Sequence, residues 1–125
     1  AMSSAGPKRI ALVTDAMSAT GQPDGDYILG SLPVKVVDGR ARLLDADGSL
    51  GAIAGSTLTM GRAVEFVTSV VGIPLGQVAV MAATTPAKLH GLDEVGVIEE
   101  GHWADLCLTD ARGHLVRVIH RGEAV

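Results

Sequence analysis

The sequence predicts a mixed α/β fold, and three observations carry that prediction. The uninterrupted apolar run Ile10, Ala11, Leu12, Val13 has the character of a strand buried on both faces inside a parallel sheet or barrel. Farther on, residues 57–71 repeat apolar side chains at helical spacing. The core material is aliphatic: 47% of the 125 residues are hydrophobic, Tyr27, Phe66 and Trp103 are the only aromatics, and sixteen glycines let elements approach closely. A chain of this length holds one domain's worth of core.

Residues 1–9, with Ser, Gly, Pro and Lys, are expected to be a flexible start. Met2 is preceded by Ala1, so residue 1 is not an initiator; a cloning remnant or a cut upstream each explains that. After the first strand, Gln22 to Asp26 form a turn cluster. The runs Leu32–Val37 and Arg40–Leu44 flank Asp38-Gly39, a dipeptide suited to a tight hairpin turn because both positions tolerate positive φ. Residues 27–44 therefore read as a β-hairpin excursion. Asp45 to Gly48 reads as a second turn; it resembles the opening of a calcium loop but lacks the later ligands, which favours a solvated turn.

A helix over 57–71 is expected, capped by Ser56 or Thr57, with Met60, Ala63, Val64, Val67, Val70 and Val71 on its apolar face and Gly72 as its stop. Pro74 opens a second helix in which Leu75, Val78, Ala79 and Ala82 share a face. Thr85-Pro86 starts a third, short helix that Gly91 closes. From Val95 the pattern turns to strands: Val97-Ile98, Asp105 to Thr109 and Leu115 to Arg121.

Charge and composition exclude several roles. The net charge is -4 and no basic patch or interleaved stacking aromatics are visible, so neither nucleic acid nor an anionic membrane is an expected partner. No apolar run approaches the ~18 residues needed to span a bilayer, and the N-terminus lacks an apolar signal segment. Cys107 is the only cysteine, which rules out an intramolecular disulfide and suits a reducing, cytoplasmic setting. Its place in the run Leu106-Cys107-Leu108 predicts a buried, inert thiol.

The candidate chemistry gathers at Asp15, one residue beyond Thr14 after the first apolar run. Parallel α/β folds place reactive groups at strand ends, where loops line an open face. The small residues Ala16, Ser18, Ala19 and Gly21 leave room for something to approach the backbone. An Asp also caps turns readily, so capping stands beside chemistry as a reading of this residue. The histidines, His90, His102, His114 and His120, form no H-x-H or H-E-x-x-H pair and read as solvated or structural, where a zinc site wants three or four converging ligands.

The segments LVTDAMSATGQPDGDYILG at 12–30 and AGSTLTM at 54–60 resemble the C-terminal part of the N-acetylglucosamine-6-phosphate deacetylases, a group within the amidohydrolase superfamily. The blocks ATTPAKLHGLDEVGVIEEGHWADLCLTD at 83–110 and VRVIHRGEAV at 116–125 resemble the common end of that superfamily, roughly P-A-x-x-x-G, G-x-I-x-x-G-x-x-A-D-L and V-x-x-G-x-x-V. The resemblance implies a C-terminal slice of a (β/α)₈ barrel with the β-hairpin 27–44 inserted, residues 10–91, followed by strands of a small β-sandwich domain, residues 92–125. One barrel-type strand cannot close a barrel that needs eight, so the barrel is incomplete and its uncovered edges favour a homo-oligomer.

The resemblance further implies hydrolysis of N-acetylglucosamine 6-phosphate to glucosamine 6-phosphate and acetate, with one divalent metal, commonly zinc, whose ligands lie upstream of this chain. Asp15 takes the place of the family's proton-transfer carboxylate. Ile53, Ala54 and Gly55 match the segment that contacts the sugar; here D-G-S-L-G-A-I-A-G-S runs longer than the usual D-G-x-L-A-G-S. The rest of the parent chain is then an implied partner, and the 125 residues alone are expected to be inactive. Two alternatives stay open: another amidohydrolase acting on a cyclic amide, in the manner of the dihydroorotases, and a non-catalytic α/β interaction module.

Overall fold

The computed structural model describes residues 5–125, so the first four residues of the expected flexible start lie outside the description. The chain forms two compact units, one of Thr14–Thr59 and one of the residues up to Val13 with Met60–Val125.

The unit Thr14–Thr59 is a four-stranded antiparallel meander: β1 (Gly25–Leu29), β2 (Leu32–Val37), β3 (Arg40–Leu44) and β4 (Leu50–Ile53), in the order β1-β2-β3-β4. The hairpin read over 27–44 is its centre, and β2 and β3 have the expected bounds. Asp38 and Gly39 both adopt positive φ, 51° and 67°, as a two-residue turn between right-twisted strands requires. Asp24 reinforces that turn, its carboxylate accepting the Asp38 N–H and the Gly39 N–H, the latter at 3.1 Å. Strand alternation turns Val34, Val36 and Ala41 inward, where they meet Met17, Ala19 and Ala54, with Tyr27 and Leu43 packed against the cluster. The Asp45–Gly48 turn is present, closed by the Gly48 N–H to the Asp45 carbonyl at 2.9 Å.

The second unit holds the helices. Helix α1 runs Met60–Ser69, shorter than expected at its start. Neither expected cap works there: the Ser56 hydroxyl accepts the Leu58 N–H at 2.9 Å, and the Thr57 hydroxyl donates to the Gly39 carbonyl. Gly72, at φ 78°, ends the helix, with the Ile73 N–H reaching six residues back to the Val67 carbonyl at 3.2 Å. Ala63 is buried, but Val70 and Val71, expected on the apolar face, are exposed beyond the last turn.

The expected second and third helices are one helical stretch: α2 (Leu75–Ala79), a π segment (Val80–Thr84) and α3 (Thr85–Leu89). Pro86 is the physical reason that it runs on with a wide turn. It has no N–H to give to the preceding turn, and the Thr85 N–H just before it reaches five residues back, to the Val80 carbonyl. The Met81 carbonyl is taken up from outside, accepting the Leu12 N–H at 2.9 Å. The run Ile10–Val13 is thus docked by a hydrogen bond onto the π segment. It is not a strand: Ile10 has extended backbone, but no ladder partner exists for the run among the described residues, and Val13 is 77% exposed. Pro7–Arg9 form a 3₁₀ turn whose Pro7 carbonyl accepts the Thr85 hydroxyl at 2.9 Å, which ties down part of the expected flexible start.

A three-stranded antiparallel sheet follows: β5 (Leu106–Thr109), β6 (Leu115–His120) and β7 (Glu123–Ala124). The strand expected at Val97-Ile98 does not form; the segment is irregular and Ile98 is 90% exposed. Cys107 corrects a second expectation: it is exposed on β5, as is Leu108 beside it. No helix of the described residues is long and apolar enough to cross a membrane.

Candidate active site

Asp15 sits in the left-handed region at φ 51°. An L-residue adopts that conformation only where its surroundings hold it, and Asp tolerates it better than most. What holds it is a backbone exchange with residue 56, forty-one positions later. The Asp15 carbonyl accepts the Ser56 N–H at 3.0 Å, and the Ser56 carbonyl accepts the Met17 N–H at 2.9 Å, so Ala16 and Ser56 form a parallel bridge. The Thr20 hydroxyl also donates to the Ser56 carbonyl, at 3.3 Å. Burial of Met17 and Ala19 in the core of the meander anchors the segment just after Asp15.

The Asp15 side chain is exposed, and its carboxylate makes no hydrogen bond or ion pair among the described residues. Capping of a turn therefore does not account for it. Of the other sequence-predicted residues, Gly55 is brought beside Asp15 through Ser56. Gly55, at φ 80°, places its Cα so that an added Cβ would lie 3.6 Å from both the Asp15 carbonyl oxygen and the Met17 Cβ. Ile53 is 77% exposed at the end of β4, an apolar side chain open to a ligand. Ala54 is buried in the core and its N–H donates to the Ala41 carbonyl at 2.9 Å, so neither its methyl group nor its N–H is free for a sugar. Thr20 and the backbone of Ser56 are the parts of this arrangement that sequence reasoning missed. Ser56 carried a helix-cap signal, and nothing in the local pattern marks a bridge over so long a separation.

The described residues contain no group of three or more His, Cys, Asp or Glu that could hold a metal ion. The histidines that pair do so on the surface: His114 Nδ1 lies 3.5 Å from Glu65 and His120 Nδ1 lies 3.0 Å from Asp105. The donor set for the divalent metal typical of amidohydrolases is therefore not formed by the described residues.

Comparison with known proteins gives this arrangement its setting. Residues 6–125 match the amidohydrolase family, and the chain belongs to that family of hydrolytic enzymes. Within it, the chain is similar to sugar-phosphate deacetylases. It is 39% identical over 99 residues to N-acetylglucosamine-6-phosphate deacetylase of Vibrio furnissii, covering 78% of this chain and 24% of that protein. It is 33% identical over 117 residues to a putative N-acetylgalactosamine-6-phosphate deacetylase of Escherichia coli K12, covering 93% of this chain and 67% of that one. The structure of a variant N-acetyl-D-glucosamine-6-phosphate deacetylase of Mycobacterium smegmatis, in complex with N-acetyl-D-glucosamine-6-phosphate, superposes with a TM-score of 0.85 at 36% identity, covering 98% of this chain and 32% of that chain. Against the Vibrio enzyme, the chain spans about a quarter of the relative's length.

Proposed function

We propose that the protein to which these residues belong hydrolyses the acetamide of N-acetylglucosamine 6-phosphate, and that Asp15 is its proton-transfer group. The observation that carries the reading is the free Asp15 carboxylate, fixed by its backbone beside the 53–55 segment, in a chain of the amidohydrolase family. In the reaction, the attacking water gives its proton to the Asp15 carboxylate as the new C–O bond forms. Collapse of the tetrahedral intermediate breaks the C–N bond, and the same proton passes to the departing amine nitrogen. Asp15 ends as it began, which is why one carboxylate serves both steps. The divalent metal typical of the family, proposed to be zinc, supplies activation of the water when bound, through ligands outside this chain.

Ile53 and Gly55 border the site, and the sugar is proposed to lie against the Ile53 side chain and the backbone of this segment. Residues 10–91 are assigned to the barrel part of the whole protein and 92–125 to its small β-domain. The 125 residues alone are proposed to be inactive, the whole protein to be a homo-oligomer, and the cytoplasm to be its compartment.

A second substrate has specific support. Relatives that carry the name N-acetylgalactosamine-6-phosphate deacetylase match 93–94% of the chain at 33–34% identity. The test is acetate release by the full-length protein from both epimeric sugar phosphates and from a cyclic amide. Asp15→Asn should lower kcat by about 10²–10⁴-fold, the size of a lost general acid–base group, with bound metal retained. Undiminished turnover in that variant would end the assignment of Asp15, and turnover of the cyclic amide alone would end the assignment of the substrate.

A further inference from the structure

Residue 55 contributes no side chain, and its peptide leads directly into the backbone contact between Ser56 and Asp15. Ser56 grips the chain on both sides of Ala16: its N–H donates to the Asp15 carbonyl at 3.0 Å and its carbonyl accepts the Met17 N–H at 2.9 Å. The Thr20 hydroxyl fixes that same carbonyl from the far side of the turn, at 3.3 Å. The orientation of the Ser56 N–H is in turn set by the peptide that follows Gly55, and Gly55 stands at φ 80°. A Cβ at Gly55 would meet its nearest neighbours at 3.6 Å, which is ordinary contact. A side chain there would therefore leave packing intact and act on the backbone, by pulling residue 55 out of the left-handed region.

We infer that Gly55 is a positioning residue for the Asp15 carboxylate. Its left-handed backbone turns the Ser56 N–H onto the Asp15 carbonyl and so keeps Asp15 in its own left-handed conformation, with Thr20 closing the clamp. Gly55 then acts on the chemical step through Asp15, in addition to any contact its backbone makes with the sugar. The inference rests on the assignment of Asp15 to proton transfer.

The experiment uses full-length protein with Gly55→Ala, Gly55→Asn and Thr20→Val, each alone and combined with Asp15→Asn. Gly55→Ala should lower kcat by roughly 10- to 100-fold, the scale of a sub-ångström to ångström misplacement of a reacting group, with any rise in KM from the sugar-facing backbone smaller than that loss. Gly55→Asn should recover most of that loss, because Asn enters the left-handed region readily and its Cβ fits. Thr20→Val should cost kcat a few-fold with KM unchanged, and it keeps the test alive if Gly55→Ala does not fold. On the Asp15→Asn background, both Gly55→Ala and Thr20→Val should cost less than about twofold more, since the group they position is already gone. A rise in KM with kcat intact, an equal loss on the Asp15→Asn background, or no advantage of Asn over Ala would each overturn the inference. Undiminished kcat in Asp15→Asn alone is a separate outcome that overturns the assignment of Asp15 instead.

Discussion

The two antiparallel sheets of this molecule are built from the same pairing and reach opposite degrees of closure. In the unit Thr14–Thr59, alternation along β2 and β3 delivers Val34, Val36 and Ala41 to one side, and Met17, Ala19 and Ala54 cover them. In β5, β6 and β7 no side chain is buried, and Val116 is 66% exposed. The buried apolar residues of that unit, Ala63, Val78, Met81 and Ala87, all lie on its helices. The three-stranded sheet meets α1 by close approach: Gly113 lies where an added Cβ would be 3.1 Å from the Thr68 hydroxyl, and the Leu115 side chain comes within 3.6 Å of where a Gly61 Cβ would be. One sheet is held by what its side chains bury, the other by where its glycines let the backbone go. The candidate site belongs to the first kind, so the Asp15 carboxylate is borne by the better packed of the two.

The sharpest way to break this comparison is to place a charge at matched points of the two sheets. Val34→Asp puts a carboxylate where the side chain is 1% exposed. With no partner in an aliphatic cluster, it should cost more than about 4 kcal/mol and unfold the meander. Val116→Asp, on the open face of β6, should stay within about 0.5 kcal/mol of the parent. Urea unfolding followed by hydrogen exchange, read segment by segment, measures both. Similar losses at the two positions would mean that the sheets do not differ as described.

A smaller but still large effect is expected where a glycine replaces packing. Gly96 has φ 89°, and a Cβ added there would fall 2.7 Å from the Ala87 Cβ and 3.1 Å from the Ala83 carbonyl. The Gly96 carbonyl also accepts the Thr84 hydroxyl at 2.6 Å, which seats the 92–98 segment on the π segment. Gly96→Ala combines left-handed strain with overpacking and should cost roughly 2–5 kcal/mol, visible as a lowered urea midpoint. Val34→Ala offers the counterpart in the meander: it removes side-chain volume and needs no change of backbone. If Gly96→Ala proved neutral, close backbone approach would not be what seats this segment.

These contrasts explain which parts of the fold the sequence made legible. Asp38-Gly39 names its turn chemically and the flanking runs alternate, so β2 and β3 were readable to the residue. The outer strands of the meander were missed. Gly30-Ser31, the turn that pairs Leu29 with Leu32, carries a weaker signal, and Gly51 interrupts the apolar pattern of β4. Ile10–Val13 has strand composition, but a strand is defined by a neighbour, and none stands beside it among the described residues. Pro86 looked like a helix start because its missing N–H is harmless there, whereas the π segment absorbs the same defect inside a longer helix. Of the site, Asp15 was visible as a carboxylate after an apolar run. Its hold by Ser56 was not, because no local periodicity connects residues so far apart, and the family resemblance tied 53–55 to the sugar and not to Asp15.

The gentlest probe of the comparison is acid, because one Asp-capped turn in each sheet holds its carboxylate by a different kind of donor. Asp47, between β3 and β4, is held below its ordinary value of 3.8 first by the Ser49 hydroxyl, 2.6 Å from Oδ1, and then by the Ser49 N–H. Asp110, between β5 and β6, is held below 3.8 first by the His114 N–H at 3.0 Å, with the Arg112 N–H also donating, at 2.8 Å. For a lowered carboxylate the stabilisation is complete above 3.8 and is lost as pH falls through the lower folded value, so both turns should loosen only in that acid window. Carboxyl-carbon NMR titration should give both midpoints below 3.8. Ser49→Ala removes the leading donor and should move the Asp47 midpoint up toward 3.8 while the remaining N–H keeps it lower. His114→Ala keeps the backbone donor that matters most and should leave Asp110 nearly where it was, since only the weaker charge effect of the imidazole is lost. Equal responses to the two substitutions would contradict the distinction between a turn held by a side chain and one held by the backbone itself.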